Sequence, residues 1–131
     1  MENFTSDVVE SKHVFVLEYY SKMCGSCKEF EPIWEHVANS IENEYRIGRV
    51  NIDSKEGMGL AKKQGILKLG IPAVQVVAGS HAEIVMAGKP MSQAALLRSI
   101  STTAKRYQPT KHPETGLYVH SEFYSENKME L

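Results

Sequence analysis

Two cysteines, the absence of a long apolar run and a formal net charge of −1 set the first limits on this sequence of 131 residues. Two cysteines are too few for a scaffold that is held together by disulfides. No apolar run approaches the ~18 residues that a membrane-spanning helix needs. The charges form no block of one sign, so nothing favours binding to nucleic acid or to an anionic membrane surface. We therefore expect neither a nucleic-acid partner nor a membrane partner.

What the sequence does contain is typical of one globular domain. Hydrophobic residues make up 42% of the chain and charged residues 24%, and a chain of this length can bury a substantial core. Residues 1–12 are acidic and polar, and no signal peptide is visible in them. The composition leaves the compartment open.

The first half of the chain predicts a strand, a helix and a second strand. Residues 13–20 form an apolar and aromatic run, as expected for a strand that is buried on both faces. Residues 45–53 have the pattern of the next strand, and the two should be parallel with a right-handed crossover. Between them, apolar residues recur at helical spacing and predict one buried stripe: Phe30, Ile33, Trp34, Val37, Ala38 and Ile41.

The second half continues the α/β pattern. Ser54 is a suitable cap for a weak helix over residues 55–64. Residues 73–77 and 82–86 flank a Gly-Ser turn and predict a β-hairpin. Ser92 then begins another helix, whose apolar residues are available for the core.

The C-terminal part has a different composition, and we divide the chain into a domain of residues 1–103 and an extension of residues 104–131. The extension is polar, with Pro109 and Pro113 close together, which predicts a linker or a loop that follows the surface. Residues 117–124 regain aromatic side chains. This pattern fits a short packed element and equally fits an extension without order.

Cys24 and Cys27 are the motif that carries chemistry. Cys24 follows the first predicted strand and Cys27 opens the helix, where backbone N–H groups and the helix dipole stabilise an anion. A thiolate in such a motif has a pKa of roughly 3.5–7.5. We expect Cys24 to be the more exposed sulfur and Cys27 the buried one.

Three kinds of site are compatible with a pair of cysteines two residues apart. A zinc site within one chain would need two more ligands, but none of the five histidines lies beside the motif and no two are three to five residues apart. A structural clip is weak because so short a loop removes little entropy from the unfolded chain. A redox couple is favoured, while a cluster shared between two chains is left open. We expect no metal.

The segment VFVLEYYSKMCGSCKEFEPIWEHVA, residues 14–38, resembles the active-site segment of the thioredoxin superfamily. It is most similar to the catalytic domains of protein disulfide isomerases, and Lys28 and Pro32 fit that pattern. The similarity covers about residues 3–101 in element order. It includes a first helix at 3–9, VNID at 50–53 and GIP at 70–72.

The resemblance implies a thioredoxin fold, an α/β domain with a central mixed sheet flanked by helices, here with a polar C-terminal extension. It implies a thiol–disulfide oxidoreductase or disulfide isomerase that acts on protein or peptide substrates. A cytosolic thioredoxin-like reductase is one alternative, and a peptide-binding scaffold module with weak redox activity is another.

The resemblance also implies no cofactor beyond the cysteine pair. A reductase, an oxidase or glutathione would act as the redox partner. We expect a monomeric domain, or one module of a longer chain, in the lumen of the endoplasmic reticulum, with the cytoplasm as the alternative.

The resemblance assigns roles to five residues near the motif. Cys24 would be the nucleophile and Cys27 the resolving thiol. Pro72 matches the family's cis-proline, and the backbone of Ile71 would pair with an extended substrate peptide. Met23 stands where a tryptophan is usual, as an apolar contact beside the substrate groove.

Glu18 interrupts the first predicted strand and matches the family's buried acid. Burial raises the pKa of a carboxyl group, so Glu18 would accept and return the proton of Cys27. The alternative is a strand glutamate that faces solvent, or one that pairs with Lys28 or Lys62.

Besides Met23, the spacer between the cysteines and the loop before Pro72 depart from the family pattern. The spacer between the cysteines is Gly-Ser, and the hydroxyl of Ser26 predicts a redox potential between those of the Gly-Pro and Gly-His types. The segment GILKLGIP, residues 65–72, is two residues longer than usual, which predicts a reshaped loop before Pro72.

Overall fold

A computed structural model of the chain describes residues 12–107 and 109–120, and the first helix predicted at 3–9 lies outside them. In chain order the helices and strands are β1 (Val14–Tyr20), α1 (Gly25–Ile41), β2 (Arg46–Asn51), α2 (Lys55–Lys63), α3 (Ile66–Leu69), β3 (Ala73–Ala78), β4 (His81–Ala87), α4 (Gln93–Lys105), β5 (Thr110–Lys111) and β6 (Tyr118–Val119). None of the described helices combines the length and the hydropathy that crossing a bilayer requires.

Four strands form a mixed sheet in the order β2-β1-β3-β4. β1 and β2 are parallel and are joined by α1, which confirms the predicted crossover unit. β3 is antiparallel to β1 and forms the predicted hairpin with β4. β1 therefore lies at the centre of the sheet, with a hydrogen-bonded neighbour on each side.

Helices cover both faces of this sheet. On one face α1 and α4 pack against alternate residues of β1, and the shared core includes Val14, Val16, Phe30, Trp34 and Ile100. On the other face the core joins the intervening residues of β1 to α2 and α3, and it includes Leu17, Tyr19, Leu60 and Ile66. Because strand side chains alternate with a period of two, each even-numbered residue of β1 faces α1. This alternation places Glu18 on the α1 face.

The predicted caps are confirmed. The Ser54 hydroxyl accepts a hydrogen bond from the N–H of Gly57 at 2.9 Å at the start of α2. Ser92 accepts in the same way from the N–H of Ala95 at 3.2 Å. At Gly57 the backbone of Asn51 lies so close that a Cβ atom would collide with it, so this glycine allows α2 to pack against the end of β2.

The described part of the C-terminal extension packs against the domain. β5 and β6 form a small antiparallel sheet, and Val119 is buried and bridges to His13 beside β1. The N–H of Tyr118 donates to the carbonyl of Glu44 at 2.8 Å. Of the two alternatives left open for residues 117–124, a short packed element is formed at Tyr118–Val119, and residues 121–124 lie outside the described part. The division at residue 103 stays a prediction, although α4 continues to Lys105 across it.

Candidate active site

One edge of the sheet gathers most of the predicted site residues. β1 and β2 end there together, since Tyr20 is paired with Asn51. β3 begins at the same edge and β4 ends there, because Ala73 is opposite both Tyr19 and Ala87. The cysteine motif, the loop 65–72 and the turn that follows β4 are therefore neighbours at this edge.

The two cysteines are joined by a disulfide at the beginning of α1. Cys24 is the N-cap of the helix, and its sulfur accepts a hydrogen bond from the N–H of Cys27 at 3.1 Å. The hydroxyl of Ser26 lies 3.4 Å from the same sulfur. When the pair is reduced, a thiolate on Cys24 would find these donors and the positive end of the helix dipole already in place.

The two sulfur positions differ in accessibility, as predicted. Cys27 is buried, with 5% of its surface exposed, whereas Cys24 is partly exposed. Met23 beside it is 88% exposed. An incoming thiol or disulfide therefore reaches Cys24 before Cys27.

Asp53 holds the turn that carries Cys24, and no role was predicted for it from the sequence. Its carboxylate accepts from the Ser21 hydroxyl at 2.7 Å and from the N–H of Lys22 at 3.0 Å. The Ser21 oxygen in turn accepts from the N–H of Met23 at 3.1 Å. These hydrogen bonds, led by that of Ser21, hold the pKa of Asp53 below its usual value. The VNID motif marked this position without assigning it a role.

Glu18 is fully buried, with none of its surface exposed. The alternative of a solvent-facing glutamate is therefore wrong, and so is pairing with Lys28 or Lys62. Its partner is Arg49 on β2, whose Nε donates to Oε1 at 2.7 Å. Among the described residues, Oε2 has no hydrogen-bond partner. Burial raises the pKa of Glu18 above its usual value, although the hydrogen bond from Arg49 acts in the opposite direction.

Arg49 was missed because its pairing depends on strand register. Glu18 and Arg49 are directly opposite each other in the parallel β1–β2 pair, so their side chains emerge on the same face. The guanidinium also lies 4.1 Å above the centre of the Tyr20 ring, a favourable cation–π arrangement. Register between these two strands, once known, would have identified the pair.

A surface cavity is bordered by both the buried Cys27 and Arg49, the exposed member of the ion pair. It has a volume of about 420 Å³. Its lining includes both Cys27 and Arg49, together with Tyr20, Ser21, Lys22, Lys28 and Glu31. Water that enters this cavity reaches the surroundings of Cys27 from the side of α1.

The loop before β3 forms the other wall of the site. The Ile71–Pro72 bond is cis, as predicted, and Pro72 is buried. The carbonyl of Pro72 accepts from the N–H of Gly88 at 3.0 Å. Gly88 has a φ of 78°, and a Cβ atom there would lie 2.8 Å from the carbonyl oxygen of Leu69. Only glycine therefore fits this close approach of two loops.

The longer loop contains a helical turn of its own, α3. The side chain of Ile66 is buried, while Leu67 and Leu69 are 41% and 55% exposed. They and Met23 are the exposed large hydrophobic residues of the described chain. This turn adds apolar surface ahead of Pro72, while the reshaping of the loop relative to the family pattern stays a prediction.

The described residues contain no group of three or more His, Cys, Asp and Glu side chains that is arranged to hold a metal ion.

Comparison with known proteins identifies the family. The family model for thioredoxin matches residues 1–102. The chain therefore belongs to the thioredoxin family, as the mixed sheet and the cysteine pair at the start of α1 indicate.

The similar curated proteins are disulfide isomerases. Protein disulfide-isomerase like 2-2 of Arabidopsis thaliana is 34% identical over 56 residues, which are 43% of this chain and 12% of that protein. Protein disulfide-isomerase A6 of Mus musculus is 30% identical over 57 residues, or 44% of this chain and 13% of that protein. The matched regions are thus a small part of each relative.

A solved structure confirms the fold. The J-Trx1 fragment of ERdj5 superimposes with a TM-score of 0.63 and 20% sequence identity. The match covers 75% of this chain and 45% of that one.

The different burial of the two cysteines predicts different reactivity. In the reduced protein at mildly acidic pH, an alkylating agent should label Cys24 about tenfold or more faster than Cys27, because Cys24 is accessible and its thiolate is stabilised by helix N–H groups. Peptide mapping after short exposures measures both rates. In denaturant the two rates should become equal. Equal labelling in the folded protein would remove the reason to treat Cys24 as the nucleophile.

The burial of Glu18 predicts a pH-dependent stability when its partner is removed. Since the folded-state pKa of Glu18 is raised, the folded protein keeps this proton to higher pH than the unfolded chain does, and the contribution of Glu18 to stability falls as pH rises. Arg49→Met should therefore lower the free energy of unfolding by about 1–3 kcal/mol at pH 8 and by much less at pH 5.

Denaturant titrations at the two pH values measure this difference. Arg98→Met, which removes an exposed arginine from α4, is the control and should show no such pH dependence. A loss for Arg49→Met that is the same at both pH values would contradict the assigned ionisation of Glu18.

Proposed function

We propose that this chain is a thiol–disulfide oxidoreductase of the disulfide isomerase type, which exchanges dithiols and disulfides with protein substrates. The observation that carries the proposal is the Cys24–Cys27 disulfide at the beginning of α1, with Cys24 accessible and Cys27 buried. The matched segments span only 12% and 13% of the length of the two disulfide isomerases named above. The proposal therefore concerns this domain.

The reaction follows from these positions. In the reduced domain the Cys24 thiolate attacks a substrate disulfide, so a Cys24–substrate disulfide forms and the other substrate sulfur leaves as a thiolate that takes up a proton. Cys27 then loses its proton and attacks the Cys24 sulfur. The Cys24–Cys27 disulfide forms, the second substrate thiolate is released, and two electrons have passed from the domain to the substrate. The reverse sequence oxidises a substrate dithiol.

Glu18 is the proposed proton acceptor for Cys27. Its even-numbered position on β1 directs it toward α1, the helix that begins with the cysteine motif. A buried carboxylate with one oxygen bound to Arg49 and the other unbonded within the described chain has room to accept a proton. Its raised pKa makes it a stronger base than an ordinary glutamate.

The substrate is proposed to bind along the edge formed by Met23 and the loop before β3. An extended peptide would pair with the backbone of Ile71, beside Pro72, and would place its sulfur at Cys24. The exposed side chains of Met23 and Leu69 favour substrates with apolar residues near the disulfide.

We propose that the domain needs no bound cofactor and that a reductase, an oxidase or glutathione restores its redox state. A module of a longer protein in the lumen of the endoplasmic reticulum is the setting that the similarity to disulfide isomerases favours. Residues 1–103 would be the catalytic module and residues 104–131 its extension.

Turnover of a protein disulfide tests the activity. The protein should reduce insulin with dithiothreitol as electron donor and should reactivate scrambled ribonuclease. Cys24→Ala should abolish both activities, because no nucleophile remains, and Cys27→Ala should accumulate mixed disulfides. Insulin reduction without ribonuclease reactivation would identify a reductase. Peptide binding without either reaction would identify a scaffold module and refute the proposal.

Glu18→Gln tests the proton acceptor, because it keeps the shape of the side chain and removes the titrating group. Attack by Cys24 should change little, since that step uses a thiolate already present. Release of the mixed disulfide should slow by on the order of 100-fold at a pH where Glu18 is ionised in the wild type. Rapid-quench gels that resolve the covalent complex measure the release. Release rates equal to those of the wild type from pH 5 to pH 8 would exclude this role.

A further inference from the structure

Glu31 occupies a position that the activity proposed above does not use. We propose that Glu31 is a positioning residue for proton transfer, which shares Arg49 with Glu18 across the cavity beside Cys27. The inference rests on the proposed function, because it concerns the step in which Cys27 loses its proton.

The placement of Glu31 follows from the helix period. It lies four residues after Cys27 on α1, one helical turn further along, so the two side chains share a face of the helix. Both line the 420 Å³ cavity, and Arg49 reaches the same cavity from β2. The cavity thus brings a second carboxylate to the outer side of the Glu18–Arg49 pair.

Arg49 is suited to serve two acids. Arg49 donates to Glu18 through Nε alone. Its two terminal nitrogens have no acceptor among the described residues. The Tyr20 ring lies beneath the guanidinium plane at 4.1 Å. With 41% of its side chain exposed, Arg49 directs one edge at Glu18 and leaves its other N–H groups for the cavity.

The proton transfer changes the charge next to Arg49. Cys27 loses a proton from sulfur and the Glu18 carboxylate gains it, so Cys27 becomes a thiolate and Glu18 a neutral acid, with no electron transferred. Arg49 stays charged throughout. Glu31 then provides the negative charge that Glu18 no longer has, and the cation remains compensated. Before the transfer, burial raises the pKa of Glu18 and so makes it a stronger base than an ordinary glutamate, and the negative charge of Glu31 adds to this effect.

Other charged groups around the cavity act against Glu31 and limit its effect. Lys28 on α1 and Lys22 in the turn after β1 are exposed and line the same cavity. Asp53 accepts from the backbone of Lys22 in that turn. Among the side chains that line the cavity, Glu31 is the only acid. The net effect of Glu31 on Glu18 is therefore modest. It is resolved by the pH profile of the release rate but not by a rate at a single pH.

The experiment follows release of a mixed disulfide, prepared on Cys24 with a model peptide, between pH 5 and pH 8. In the wild type the rate should rise with pH as Glu18 loses its proton. In Glu31→Gln the midpoint should move to lower pH by about half a unit, because the repulsion is gone. The plateau rate should fall about twofold, since Glu18 is then a weaker base. Glu31→Asp should restore part of both changes.

Glu35→Gln is the matched control. Glu35 is an exposed glutamate one further turn along α1 and does not line the cavity. Its replacement removes the same charge from the same helix and should leave the profile as in the wild type. At about 1 M salt, where screening acts over ~3 Å, the profiles of the wild type and Glu31→Gln should converge.

A double mutant separates action through Glu18 from a direct effect. On a Glu18→Gln background, Glu31→Gln should have no further effect on release. Three outcomes would each overturn the inference. Glu31→Gln could slow release equally at every pH without moving the midpoint, or it could move the midpoint no further than Glu35→Gln does. It could also slow release on the Glu18→Gln background as much as it does in the wild type. Failure of the proposed function is distinct, because the wild type itself would then release no mixed disulfide at any pH.

Discussion

The central strand β1 is the constraint on which the site depends. It is hydrogen-bonded to β2 on one side and to β3 on the other, and most of its residues are buried. Its alternation therefore fixes Glu18 on the α1 face, with no freedom to turn toward solvent. The same strand ends at Tyr20, so the turn that carries Cys24 begins at a fixed point of the sheet. One rigid element thus sets the positions of both Glu18 and Cys24.

The Glu18–Arg49 pair contributes little to the stability of the fold, which suggests that the pair has another role. A buried carboxylate with one hydrogen-bond donor recovers only part of its lost hydration, and a pair in this position is often no better than apolar residues of similar size. The raised pKa of Glu18 reflects this incomplete compensation, because the ionised form costs stability as pH rises. Carboxyl groups whose pKa is raised by burial are concentrated at sites of proton exchange.

Sequence alone predicted the parts of the fold whose signals are local. The change from a continuous apolar run to helical spacing located β1 and α1, and Ser54 and Ser92 marked the beginnings of α2 and α4. Arg49 was not predicted, because its role depends on the register between β1 and β2, which is a long-range property. β5 and β6 are two residues each, which is too short for a period of two to be visible.

In the proposed mechanism the disulfide lies between two openings that serve different reactants. The sheet edge with Met23 and the loop before Pro72 admits the substrate, and it leads to the exposed sulfur of Cys24. The cavity on the α1 side leads to Cys27 and is lined by Arg49. Its volume is large enough for a small molecule but not for a polypeptide. Cys27 can therefore exchange its proton while remaining shielded from substrate disulfides. Burial of the second cysteine gives the order of the two steps, because the sulfur that lies within its reach is that of Cys24, once Cys24 has formed the mixed disulfide.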